Sequence, residues 1–85
     1  MADLQAIADA VIKGDRDTVA NLAQAAVDEG VAPEQIINEG LIAGMNVVGE
    51  KFKNNEFYVP EVLIAARAMH GGMDIVKPLL ADSGA

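Results

Sequence analysis

Cysteine and tryptophan are absent from these 85 residues, and only three residues are aromatic. Without cysteine there are no disulfides, no thiolate zinc sites and no cysteine nucleophile, a composition that fits a reducing cytoplasm. So few aromatic side chains, set against 52% apolar residues rich in alanine, favour close-packed helices over a strand-rich sandwich. Cations are scarce as well: six Lys and Arg face thirteen Asp and Glu, a formal net charge of −7, and the six are scattered along the chain rather than striped. That balance repels phosphate backbones and anionic membrane surfaces. No apolar run approaches the roughly 20 residues of a bilayer span, and Met-Ala-Asp-Leu-Gln lacks the basic-then-apolar order of a signal peptide. A soluble, cytoplasmic protein is expected.

What is present reads as an all-α four-helix bundle, with helices at about residues 2–12, 16–29, 33–53 and 60–80. Leu4, Ile7, Ala8, Val11 and Ile12 recur at helical spacing behind Asp3, and Gly14 followed by Asp15 reads as a helix stop and a fresh N-cap. Val19, Leu22, Ala23, Ala26 and Val27 form the second stripe, which stops at Glu29-Gly30. Pro33-Glu34 and Pro60-Glu61 each pair a proline suited to a first helical turn with an acid that complements the helix dipole. The third stripe is Ile36, Ile37, Leu41, Gly44, Met45, Val48 and Phe52, with Glu39, Asn46, Glu50 and Lys53 opposite. The fourth pattern runs from Val62 to Leu80, and Pro78 is expected to tighten or distort its last turn. Residues 1–80 then form one domain, and the small, polar residues 81–85 read as the start of a linker.

Few residues suggest chemistry. His70 is alone, has no metal-ligating partner at a zinc spacing, and falls beside Arg67, Asp74 and Lys77 on the polar side of the last helix. The carboxylates sit mainly on polar faces where nothing raises a pKa. Gly71-Gly72 lies inside a helical pattern and not between a strand and a helix, so its role is steric and not phosphate binding. Ala65, Ala68 and Gly72 leave a shallow strip that another surface could approach, a helix crossing being the plainer account. The last helix also carries an apolar arc of about 200°, flanked by Ile64, Ala68 and Ile75 on one side and Met69, Met73 and Leu80 on the other, wider than the ~100° one core needs. Ligand contact, a dimer and a central position in the bundle all account for that width.

Three stretches carry a family resemblance: Gly44-Met45-Asn46-Val47-Val48-Gly49-Glu50-Lys51-Phe52, Glu56 to Leu63, and Ala65-Ala66-Arg67-Ala68-Met69. A helix ending in glycine, acid and phenylalanine, a short loop, an aromatic-x-proline start and an alanine-rich helix resemble the N-terminal helical cap of corrinoid (cobalamin-binding) proteins of methyltransferase systems. The cap of cobalamin-dependent methionine synthase is similar. In that family the bundle precedes a Rossmann-like domain, which holds cobalamin and supplies the lower cobalt ligand from a D-x-H-x-x-G motif. No such motif occurs in this sequence. The resemblance implies a bundle that lies over the upper face of the corrin, shields the methyl-cobalt bond from water and moves aside when a methyltransferase docks. Position by position, it places Tyr58, Ala65 and Ala68 at that face, with Phe57, Met69 and Gly72 beside them. Phenylalanine is common where Tyr58 stands, and a buried tyrosine hydroxyl would need a hydrogen-bond partner.

The expected function is therefore a non-catalytic cap of a methyl carrier, serving transfer from a methyl donor to an acceptor such as tetrahydrofolate or a thiol. Its expected partners are the Rossmann-like cobalamin domain and the donor and acceptor methyltransferases. Cobalamin is the cofactor the resemblance implies for the full-length protein, and this chain alone is not expected to hold it tightly. The alternative is a self-associating bundle that acts as a homodimerisation or partner-docking module without cofactor.

Overall fold

A computed structural model of the chain describes residues 3–82. It contains α1 (Leu4–Lys13), α2 (Arg16–Asp28), α3 (residues 33–53) and α4 (Val59–Asp82), with no strand among the described residues. The expected all-α, four-helix architecture is observed.

Local chemistry sets most of the helix ends. Asp3 accepts a hydrogen bond from the Ala6 amide at 3.1 Å, and Asp15 accepts one from the Thr18 amide at 3.2 Å and one from the Thr18 hydroxyl at 2.7 Å. Both satisfy amides that a helix start leaves without partners. Gly14, at φ 75°, donates to the Ala10 and Val11 carbonyls, and Asp15 N–H donates to the Ala10 carbonyl at 3.0 Å. A left-handed glycine thus closes α1 and leaves only one further residue before α2. Pro33 opens α3 as expected.

α3 is not uniform. Residues Ile37–Ile42 form a π-helical segment between the α-helical Pro33–Ile36 and Ala43–Lys53, so each amide there reaches one residue further back than in an α-helix. Within and just after this segment α3 lies close to α1. A Cβ on Gly40 would stand 3.0 Å from Ile7 Cγ2, and one on Gly44 would stand 2.8 Å from Val11 Cβ and 2.9 Å from the Ala8 carbonyl. The pairing of 7 with 40 and 11 with 44 makes α1 and α3 parallel. The short turns reverse α2 and α4, giving an up-down-up-down bundle. Its long dimension, 39 Å, is close to the ~36 Å that a 24-residue helix such as α4 spans.

The core is aliphatic. Ile7, Val11, Val19, Ile36, Leu41, Val48 and Val76 are fully buried, each worth about 1.5–3 kcal/mol relative to exposure. α4 packs against all three other helices, most extensively α2. That central position accounts for its wide apolar arc, because Met69, Met73, Ile75 and Leu80 all pack onto the same core.

Several expectations need correction. α4 starts at Val59 and continues to Asp82, so the proposed linker residues 81 and 82 are helical and only 83–85 lie outside the described residues. Pro78 sits inside the helix, removing one backbone hydrogen bond on an exposed face. α1 begins at Leu4 and ends at Lys13. Phe52 leaves the buried stripe and is 47% exposed, because α1 ends level with the turn of α3 after Gly44 and does not reach it.

Candidate functional site

One end of the bundle gathers the end of α1, the starts of α2 and α4, and the end of α3. Large apolar side chains remain open to water there: Phe52 is 47% exposed, Tyr58 64%, Val59 56%, Leu63 64% and Ile64 53%. Along α4, Ala65, Ala68, Gly72 and Val76 face inward. Advancing ~100° per residue places Val59 and Leu63 on the opposite side. The same outward stripe continues as Arg67, His70, Asp74 and Lys77, all exposed. An outward-facing helix stripe that is apolar for its first two turns and charged afterwards marks a surface shaped for contact.

The loop before α4 is fastened to α3 by Lys51. The Lys51 carbonyl accepts from the Glu56 amide at 2.8 Å and the Phe57 amide at 3.0 Å. Its ammonium lies 3.8 Å from the Glu56 carboxylate and 5.5 Å from the centre of the Phe57 ring. Asn55 turns the chain with φ 63°, a conformation asparagine tolerates better than most residues. The Tyr58 amide donates to Glu61 Oε2 at 3.2 Å, half of a capping box that holds Tyr58 at the mouth of α4. The tyrosine is exposed, so its hydroxyl is free to meet solvent.

Two clefts flank Ile64. One, of about 310 Å³, lies among Gly14, Asp15, Arg16, Asp17 and Arg67. The other, of about 220 Å³, lies among Ile12, Lys13, Gly14, Phe57 and Glu61. Ile64 itself seats on Gly14, where any Cβ would collide with its Cγ2. Hydrogen bonds from the Thr18 hydroxyl and then its amide hold the Asp15 carboxyl below the usual carboxylate range.

Of the residues expected at the corrin face, the structure brings Tyr58 to the open surface, with Phe57 half-buried beside it. Met69 is half-buried and packs on the core. Ala65 and Ala68 have no accessible surface. Gly72 is buried where a Cβ would stand 2.6 Å from Leu41 Cδ2 and 2.8 Å from Val19 Cγ1. The shallow strip is thus the crossing of α4 with α2 and α3, and a group outside the bundle reaches it only if those helices part. Phe52, Val59, Leu63 and Ile64, none of them expected at that face, form the open surface instead. Among the described residues, no charged side chain is buried, and no three His, Cys, Asp or Glu side chains come together as a metal site. No helix there is long and apolar enough to cross a membrane.

Residues 3–77 match the model of the B12 binding domain. The chain belongs to that family. It is 39% identical, over 99% of its length, to a corrinoid protein of Desulfitobacterium hafniense, and 40% identical over 93% of its length to the dimethylamine corrinoid protein of Methanosarcina barkeri. The solved monomethylamine corrinoid protein of Methanosarcina barkeri superposes on it with a TM-score of 0.84, at 31% identity over 87% of this chain. The chain spans 39%, 37% and 35% of the length of those three proteins, respectively. The open end of this B12 binding domain is apolar with mixed-charge clefts beside it, a lining that fits contact with a corrinoid.

Proposed function

We propose that the chain is the helical cap of a corrinoid methyl carrier, whose apolar end lies over the upper face of a corrinoid held by a separate Rossmann-like domain. The observation that carries this reading is the cluster of Phe52, Tyr58, Val59, Leu63 and Ile64 left open at one end of a B12 binding domain. The corrinoid, when bound, supplies the centre that accepts and releases a methyl group. This chain's own residues cover that centre and exclude water from it. Tyr58 and Leu63 would lie against the ring, with Phe57 and Met69 behind them. Ala65, Ala68 and Gly72 would support α4 from its buried side, by letting it lie close on α2 and α3. On this reading the chain has no catalytic group of its own, and opening of the cap gates access for the partner methyltransferases. A methylated amine is the donor suggested by the names of the Methanosarcina relatives; tetrahydrofolate or a thiol is the proposed acceptor.

The same open end would suit pairing with a second copy, the alternative reading. Intact mass and visible absorption of the protein from its native source separate the two. Corrinoid bands on a polypeptide heavier than 8.9 kDa support the cap; a colourless polypeptide of that mass, dimeric in solution, supports the self-associating module.

A further inference from the structure

The charges around the open end differ from those of the rest of the molecule. Arg16, Arg67, Asp15 and Asp17 line the larger cleft together, Lys13 and Glu61 share the smaller one, and Lys51 pairs with Glu56 beside Phe57. Four cations, Lys13, Arg16, Lys51 and Arg67, and four carboxylates, Asp15, Asp17, Glu56 and Glu61, thus line or border the two clefts. The clefts are close to neutral, although the chain as a whole carries a formal charge of −7.

A balanced cleft selects against ions of either sign. An anion meets Asp15 and Asp17, and a cation meets Arg16 and Arg67. The matching ligand is neutral and carries both a donor and an acceptor, as a primary carboxamide does. Asp15 is fixed as an acceptor by its two bonds from Thr18. The Arg16–Asp74 pair, at 3.8 Å with both side chains more than half exposed, is too weak to withdraw the guanidinium donors from a ligand. The edge of a corrinoid ring carries acetamide and propionamide arms.

We infer that the two clefts flanking Ile64 receive carboxamide arms from the corrinoid's edge, while Tyr58, Leu63 and Ile64 lie against the ring. This rests on the cap reading and adds edge recognition to it: the clefts fix the rotation of the ring under the cap, which an apolar face alone leaves free. Arg16, Arg67 and Lys13 donate to amide carbonyls, and Asp15, Asp17 and Glu61 accept from amide N–H groups.

The test is a titration of the isotope-labelled chain, followed by nuclear magnetic resonance, with two probes delivered in the same dilute dimethyl sulfoxide. Dicyanocobinamide has carboxamide arms; dicyanocobyrinic acid heptamethyl ester has ester arms that accept but cannot donate. Both should shift the amide signals of Tyr58 and Leu63. Only cobinamide should shift those of Gly14 to Asp17, binding about tenfold tighter, the difference expected of one or two added hydrogen bonds. The double variant Asp15→Ser with Asp17→Leu, both at exposed sites, removes the carboxylates that accept the amide N–H while serine keeps a capping oxygen; it should lose that tenfold preference and keep the Tyr58 and Leu63 shifts. If the ester shifts Gly14 to Asp17 as strongly as cobinamide, or the double variant keeps the preference, edge recognition is wrong and the cap reading stands. If neither probe shifts Tyr58 or Leu63, the cap reading fails and this inference with it.

Discussion

Two glycines five positions apart on α3 should respond to the same added methyl in opposite directions. At Gly44 a Cβ would stand 2.8 Å from Val11 Cβ and 2.9 Å from the Ala8 carbonyl oxygen. Neither neighbour is the loose end of a side chain, so α1 itself must give way. Such overpacking costs about 1–3 kcal/mol, and the gain in helix propensity from glycine to alanine offsets ~1 kcal/mol of it. Gly44→Ala should therefore destabilise the bundle by about 1 kcal/mol, and by no more than ~2. At Gly49 nothing lies within 4 Å of a built Cβ, so Gly49→Ala should keep the whole ~1 kcal/mol of propensity gain. For a domain of this size 1 kcal/mol moves the melting temperature by about 4–8 °C, so the two variants should differ by about 8–16 °C. Thermal unfolding followed by far-ultraviolet circular dichroism measures both. Equal upward shifts would refute the close α1–α3 contact; equal downward shifts would refute the open space at Gly49.

Three further outcomes follow from the packing. Leu63→Asp should leave stability within about 0.5 kcal/mol, as exposed substitutions do, whereas Val76→Ala should lower it clearly by emptying part of the core; chemical denaturation compares the two. Ala68→Glu places a charge where no surface is accessible, so it should unfold the bundle, which loss of helical signal at room temperature would register. Asp15 has a folded pKa below its unfolded value, so its stabilisation is present in full above the ordinary aspartate range and drains away as pH falls through the lower folded value. Asp15→Asn keeps a capping oxygen without titrating and should flatten that acid limb in a pH series of melting temperatures.

The helix boundaries were legible where local chemistry decides them. Gly14-Asp15 needs only a left-handed residue followed by a carboxylate, and Pro33 needs only a helix start. The π-helical segment was not legible, since it lies where Gly40 and Gly44 allow α1 and α3 to approach, a contact between residues over thirty apart. The inward turn of Ala65 and Ala68 matches the plainer of two readings that the sequence left open: a strip of small residues reads the same whether a ligand or another helix fills it. The cations look scattered along the chain, yet the turns bring Lys13, Arg16, Lys51 and Arg67 to one end, beside apolar residues that the helical wheel had assigned to the core or passed over. The aromatic-x-proline motif lies at that end; which side chains are open there depends on where α1 stops.

The central claim is that this end covers a corrinoid. Leu63, with 64% of its surface open, would gain about 1–2 kcal/mol on being covered, scaled from complete burial of a leucine. The most direct measurement places these residues in the Methanosarcina barkeri monomethylamine corrinoid protein, in place of the part they match. It then records the rate at which light removes the methyl group from methylcobalamin bound to that chimera. A covering end predicts slow loss, rising about tenfold in Leu63→Asp, as the energy of covering that side chain converts to a shift in closure. Equal rates in the chimera and its Leu63→Asp variant would contradict the cap.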